Sequence, residues 1–385
     1  MRALQLLLVV LIGYGSLYPF DFTANGNWLP QMGAFFTRPE LRMRRGDLVG
    51  NLLLFAPYGF VATTLSNGRR PVDTAHARLA PLLALGLLLA LVLQLAQLWL
   101  PSRVAAMGDV LANLCGMLLG SLAALVVRKL SMGVAGHSIL DATATDSPHT
   151  HAPLVLMALW LAYQWFPLVP TLDLQNILNA LKPLLRAPQL DVVRALHTAL
   201  AWCAFFKLWE LSALTQVSGR ALAAVALLAV GAKPLIAGAS ISLTNAVGLV
   251  LALVCLPWRK HRASLPVLIV AMFVSLLASG LTPLSSLGPA RPFHWIPFTG
   301  FLEGSMGMNL LSLLEKTYFY GTLILLITAR RGLPLAAACM VAACLAVIEA
   351  AQVFIPTRTA ESTDPILALI IGMAIQFGAL RDERV

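Results

Sequence analysis

The chain reads as an all-α polytopic membrane protein, with about twelve transmembrane helices arranged as three four-helix repeats. Three observations carry that reading. Of its 385 residues, 59% are hydrophobic and only 11% are charged, roughly half the charged share of a soluble protein. Uncharged apolar runs at Ala3–Phe20, Leu79–Leu100, Val110–Val127 and Ala152–Val169 are each long enough to cross hydrocarbon as a helix. A set of polar residues also recurs in one register at two distant places, the signature of an internal duplication.

The recurrence centres on 91–120, LVLQLAQLWLPSRVAAMGDVLANLCGMLLG. Gln94 and Gln97 share a helix face. Pro101 and Arg103 mark a turn, after which Asp109, Asn113, Gly116 and Gly120 fall on one face of a second helix. At 346–378 the pattern returns. Glu349, Gln352, Pro356, Arg358 and Asp364 each lie 255 positions after Gln94, Gln97, Pro101, Arg103 and Asp109. The second copy has Ala368 in place of the Asn, and its Gly372 comes one place late.

These residues carry a family resemblance. E/Q-x-x-Q, a short loop with P-x-R, then D-x-x-x-N-x-x-G-x-x-x-G resembles the VanZ-like family of bacterial membrane proteins. Asn51–Phe60, NLLLFAPYGF, is similar to that family's N-x-x-x-F-x-P-x-G-F segment. The resemblance is strong over roughly residues 10–127 and degenerate over roughly 265–380. Gln94 stands where the family usually has Glu, which this chain retains at Glu349. The resemblance implies a multi-pass protein of the bacterial cytoplasmic (inner) membrane with a cell-envelope role, the family's type member being linked to glycopeptide resistance.

In chain order, the first unit is 1–129. Arg2 before an apolar run mimics a signal peptide, but similar segments open the later units, so this run reads as a helix of the fold. Residues 21–46, with Trp28, Pro30, Arg38, Arg42, Arg44 and Arg45, form a non-spanning segment. Pro57 and Gly59 interrupt the next run, a kink that either faces protein or a cavity or is simply tolerated. Basic residues follow at Arg69, Arg70 and Arg78, and again at Arg128 and Lys129. Residues 130–151 read as a cytoplasmic linker; its His149 and His151 make only a weak metal pattern, and no metal or cofactor is expected.

The middle unit, 152–257, is a degenerate repeat. Gln175–Arg186 reads as an amphipathic interfacial helix. Asn245 and Gly248 repeat Asn113 and Gly116 at an offset of 132, but Gln94, Gln97, Arg103 and Asp109 become Ala226, Ala229, Leu235 and Ile241. A four-helix unit therefore folds without the polar set. The third unit, 264–380, follows the basic run Arg259–Arg262 and carries Glu315 and Lys316 within an apolar helix. Basic loops on alternate sides place both termini in the cytoplasm. The net charge of +10 is explained by those loops. A nucleic-acid partner would need a soluble basic patch with aromatics, which is missing, so membrane lipids are the expected surroundings.

The candidate binding residues are Gln94, Gln97, Arg103, Asp109 and Asn113, with Glu349, Gln352, Arg358 and Asp364, lining an outward-facing polar pocket. A guanidinium there suits phosphate or carboxylate. Two structural roles compete: an Arg–Asp pair closing each turn, or the Asp residues as helix N-caps. Asn51, Glu315 and Lys316 are secondary candidates, since a charge at mid-bilayer costs about 3 kcal/mol. Gly116 and Gly120 read as a close helix contact, and the five cysteines as small core residues. There is no G-x-S-x-G, H-E-x-x-H or Walker loop. The reading is a protein that binds, or helps move, an anionic lipid-linked or glycan-type ligand such as an envelope precursor. The alternatives are a membrane-embedded transferase or hydrolase of lipid-linked sugars, with Glu349 as acid/base, or a structural scaffold.

Overall fold

The computed structural model describes residues 2–23, 28–37, 45–66, 72–135, 152–186, 188–212, 217–282, 288–303 and 306–379. Among them there is no β-strand, only two isolated bridges, Pro170 with Ile236 and His294 with Glu361. Arg38, Arg42, Arg44, Arg69, Arg70, His149, His151, Arg381 and Arg384 lie outside the described residues. The contacts divide the chain into a first unit, Met1–Ser147 with Phe377–Val385, and a second, Pro148–Gln376. The expected middle repeat, and the expected third up to Gln376, fall within the second.

The first unit contains α1 (Arg2–Leu17), α2 (Trp28–Thr37), α3 (Arg45–Ser66), α4 (Val72–Ala96) and α5 (Met107–Ala135). Its tightest contact joins α3 and α5, where the glycines let the two backbones touch. A Cβ on Gly116 would lie 2.5 Å from the Leu52 carbonyl oxygen, and one on Gly59 or Gly120 would overlap the carbonyls of Met117 and Ala56. Tyr58 ties three helices: Gln5 Nε2 donates to its hydroxyl at 3.1 Å, and the hydroxyl donates to the Leu82 carbonyl at 2.9 Å. Phe55, Tyr58, Met117, Ala90 and Ile12 are buried around it. Since lipid tails are as apolar as these side chains, close packing and hydrogen bonds hold such helices together.

The second unit contains α6 (Ala152–Gln164), α7 (Leu174–Leu185), α8 (Val192–Leu211), α9 (Gly219–Gly231), α10 (Leu243–Cys255), α11 (Ser264–Leu281), α12 (Thr299–Glu303), α13 (Met306–Arg331), α14 (Pro334–Gln352) and α15 (Thr363–Ala379). Asp173, Asp191, Ser218 and Ser242 cap α7 to α10 through side-chain acceptors, satisfying N–H groups that a helix start leaves orphaned. The core is aromatic: Trp160 stacks on Tyr318 at 4.8 Å and meets Trp202 edge-on at 5.7 Å. The Tyr318 hydroxyl donates to the Ala201 carbonyl at 2.7 Å, the partner a buried phenol needs. α7 matches the expected interfacial helix, with Leu174, Leu178 and Leu185 exposed and Asn176 Nδ2 donating to the carbonyls of Pro234 and Ile236.

Among the described residues, six helices are long and apolar enough to cross a membrane: Leu79–Trp99, Met107–Val126, Leu243–Lys260, Ser264–Leu281, Gly307–Arg330 and Pro334–Gln352. Leu4–Leu17, Ala152–Gln164, Gly219–Gly231 and Thr363–Phe377 are apolar but shorter. The runs Ala3–Phe20 and Ala152–Val169 are shortened because their helices stop just before Pro19 and Pro167, prolines disfavouring helix in the preceding residue. The helix after the first motif continues to Ala135, into the expected linker. Cys115, Cys255 and Cys339 are exposed on helix surfaces rather than packed in a core.

Candidate functional site

The motif polar groups divide into two sets with different work. In the first unit, Gln97 Nε2 donates to the Ser16 carbonyl at 2.8 Å and Arg103 Nε to the Tyr18 carbonyl at 2.9 Å. Both acceptors lie at the C-terminal end of α1, where helical carbonyls lack partners. In the second unit, Gln352 Nε2 donates to the Gly280 carbonyl at 3.0 Å, and Arg358 donates to Thr282 and Ser279 carbonyls at 2.8–3.2 Å. These acceptors lie at the C-terminal end of α11, and Gly280 and Thr282 follow Ser16 and Tyr18 by a constant 264 positions. Gln94 and Glu349 likewise make the same bond. The Gln94 Oε1 accepts from Ala106 N at 3.1 Å, and the Glu349 Oε2 from Glu361 N at 2.8 Å.

Neither arginine forms an ion pair with its motif aspartate among the described residues. The turn-closing Arg–Asp pair is thus replaced by arginine-to-carbonyl bonds. The aspartates are not N-caps either, since Asp109 and Asp364 lie inside the first turns of α5 and α15, where a carboxylate complements the helix dipole.

The second set surrounds those aspartates. Gln94 Nε2 lies 3.4 Å from Asp109 Oδ2, and Asn51 of α3 stands near the same carboxylate. Asn113, one turn further along α5, is buried, and its Oδ1 has no hydrogen-bond partner. Around Asp364, Lys316 Nζ donates to Oδ1 at 2.6 Å and the Tyr320 hydroxyl to Oδ2 at 2.8 Å, both from α13. Glu315 faces elsewhere: its carboxylate pairs with Arg194 at 2.8 Å, and His197 Nε2 lies 3.7 Å from it. The adjacent charges Glu315 and Lys316 therefore serve separate clusters, as 100° of helical rotation requires.

Residues 4–128 match the family model described as VanZ/LLP1. That stretch is similar to the VanZ-like family, and the described residues include several apolar helices of membrane-spanning length. No curated protein and no solved structure matches it. In the matched VanZ-like region the structure brings together Asn51, Gln94, Asp109 and Asn113, and puts Gln97 and Arg103 on the end of α1. Sequence reasoning missed Tyr163, Arg194, His197, Ser275 and Tyr320. Arg194 and His197 were detectable as ionisable residues inside an apolar segment, a default functional signal; Tyr163, Ser275 and Tyr320 were not, because single hydroxyls are common in such helices. Lys233 stands beside that cluster in the turn Lys233–Leu235. Burial pushes its ammonium down to about 8, with Arg194 acting in the same direction and Glu315 against it. No group of three or more His, Cys, Asp or Glu side chains among the described residues is placed to hold a metal ion.

Proposed function

We propose that the first unit of this VanZ-like protein works by binding, or helping to move, an anionic lipid-linked or glycan-type ligand at an outward-facing polar site formed by Asn51, Gln94, Asp109 and Asn113, with no catalysis at that site. The observation that carries this reading is the buried, unpartnered Asn113 Oδ1. Leaving a buried acceptor unpaired costs about 1–3 kcal/mol, and a ligand hydroxyl or amide is the kind of donor that relieves it. Amide and carboxylate groups suit the hydroxyls of a glycan. Arg103 is exposed at the rim; with Nε on the Tyr18 carbonyl, its terminal N–H groups suit a phosphate oxygen.

Within the same reading, the four shorter apolar helices and also α3 and α8 cross the membrane, giving twelve crossings in three repeats with both termini cytoplasmic. The bonds shared by Gln94 and Glu349, Gln97 and Gln352, and Arg103 and Arg358 support a duplication of the first unit's plan. The engagement of Glu349 with the Glu361 N–H favours positioning over acid–base work, because an amide does the same job at Gln94.

Native mass spectrometry on protein extracted in mild detergent tests the proposal. A polyprenyl-phosphate-linked glycan should remain bound to the wild type. It should bind at least about tenfold more weakly to Asn113→Leu and Asp109→Asn, the loss of one or two hydrogen bonds to a buried or charged group. Retention of equal affinity in both variants, or no binding to the wild type, would overturn it.

A further inference from the structure

The second unit holds another polar line, which the proposed function does not use. Ser275 Oγ on α11 shares a hydrogen bond with His197 Nδ1 on α8 at 2.9 Å. The other ring nitrogen, Nε2, faces Glu315 Oε1 on α13 at 3.7 Å, and Arg194 holds that carboxylate at 2.8 Å. The His197 ring stacks on Phe319 with centroids 4.1 Å apart, which fixes its plane. Tyr163 from α6 joins through its hydroxyl, 3.0 Å from Arg194. Three helices thus present a hydroxyl, an imidazole and a carboxylate in series. That order is how a weak oxygen nucleophile is activated.

A serine–histidine bond alone would be a tie between helices. Here Ser275 also lies in the wall of a cavity of about 710 Å³ between α8, α10 and α11, within the size range of ligand sites. Apart from the weakly bonding thiols of Cys203 and Cys255, no other lining side chain can hydrogen-bond. The lining positions on α11 run from Pro266 to Ala278, about 18 Å at 1.5 Å rise per residue. One leaflet of hydrocarbon is about 15 Å thick. A single acyl chain matches the cavity in both length and chemistry.

We propose that Ser275, His197 and Glu315 form a nucleophile, base and orienting carboxylate acting on acyl esters of membrane lipids, with the acyl chain in the cavity. Ser275 Oγ attacks the ester carbonyl carbon, and His197 Nδ1 takes the hydroxyl proton. The bond to the alkoxy oxygen breaks, and the alcohol leaves with that proton. Water then attacks the acyl-serine; His197 takes its proton and returns it to Ser275 Oγ as the fatty acid departs. Ester and water become acid and alcohol, with no oxidant or reductant needed. The Glu315 carboxylate, 3.7 Å from Nε2, favours the proton on that nitrogen by its charge, which keeps Nδ1 free to act as the base. Arg194, with its side chain 42% exposed, marks where the set meets water.

The test uses full-length protein in lipid nanodiscs and a long-chain alkyl fluorophosphonate, with the adduct located by mass spectrometry. Ser275 should be labelled in the wild type and the label lost in Ser275→Ala. Labelling should slow on the order of 10²-fold in His197→Gln, the scale of general-base assistance. Nitrophenyl dodecanoate should be cleaved in preference to the acetate, and Ala271→Trp, which fills the cavity, should remove that preference. Glu315→Gln leaves Arg194 without its counter-charge and is open to misfolding, so the decision rests on Ser275→Ala and His197→Gln checked for wild-type melting. Folded wild-type protein left unlabelled at Ser275, or labelling unchanged in His197→Gln, overturns the proposal.

Discussion

At the scale of the residue, the motif separates groups that hold backbone ends together from groups that gather around the two aspartates. Gln94 and Glu349 each supply one oxygen to a backbone N–H across a loop. An amide and a carboxylate are interchangeable there because the bond needs only an acceptor. Glu349→Gln should therefore melt within a few degrees of wild type. Glu349→Leu should lose about 1–3 kcal/mol, the penalty of an unpaired buried donor, read as a lower detergent melting temperature. A large loss in Glu349→Gln with a small one in Glu349→Leu would show that charge, not acceptance, matters. The same logic applies to Arg358, which bonds two carbonyls through Nε and Nη2. Lysine donates from one point and cannot reproduce that fork, so Arg358→Lys should destabilise nearly as much as Arg358→Ala in the same melts.

At the scale of the element, the α3–α5 contact depends on small residues, and it is legible from Gly116 and Gly120 alone. Gly59 is its third member, although the sequence suggests only a kink beside Pro57. Gly59→Leu or Gly120→Leu should cost about 3 kcal/mol or more, since the added atoms meet backbone rather than movable side chains. Fluorescence-detected size exclusion should show loss of the monodisperse peak in both, while Gly13→Ala, where nothing lies within 4 Å of the added carbon, should leave it intact. The middle segment shows the same need met by other means. At the position corresponding to Gln97 stands Ala229, whose carbonyl accepts from Trp165 Nε1 at 2.9 Å. There the side-chain donor sits just after α6 and the carbonyl acceptor on α9, whereas in the first unit the donor Gln97 follows α4 and the acceptor lies on α1.

At the scale of the whole molecule, twelve crossings and six make different claims about sidedness. With twelve, residues 102 and 262 lie on opposite faces of the membrane and both termini lie with 262. Cysteine substitutions at Ser102 and Arg262, probed with an impermeant thiol reagent on intact cells in a background lacking the five native cysteines, should label Ser102→Cys alone. Labelling of Arg262→Cys from outside would remove the proposed topology. Composition and run length were enough to establish a helical, multi-pass membrane protein, because hydrocarbon forces every backbone group into helical bonds. The local motif was enough to show the likeness of residues 4–128 to the VanZ-like family, since its residues fall within a few turns of one another. Partnerships across the fold were not legible. Gln97 and Arg103 cap α1 from 81 and 85 positions away, Lys316 reaches Asp364 across 48, and Ser275 meets His197 across 78. Periodicity tells which face of a helix a residue occupies, but a hydrogen bond is decided by which neighbouring helix that face meets, and only the packing of the helices decides that.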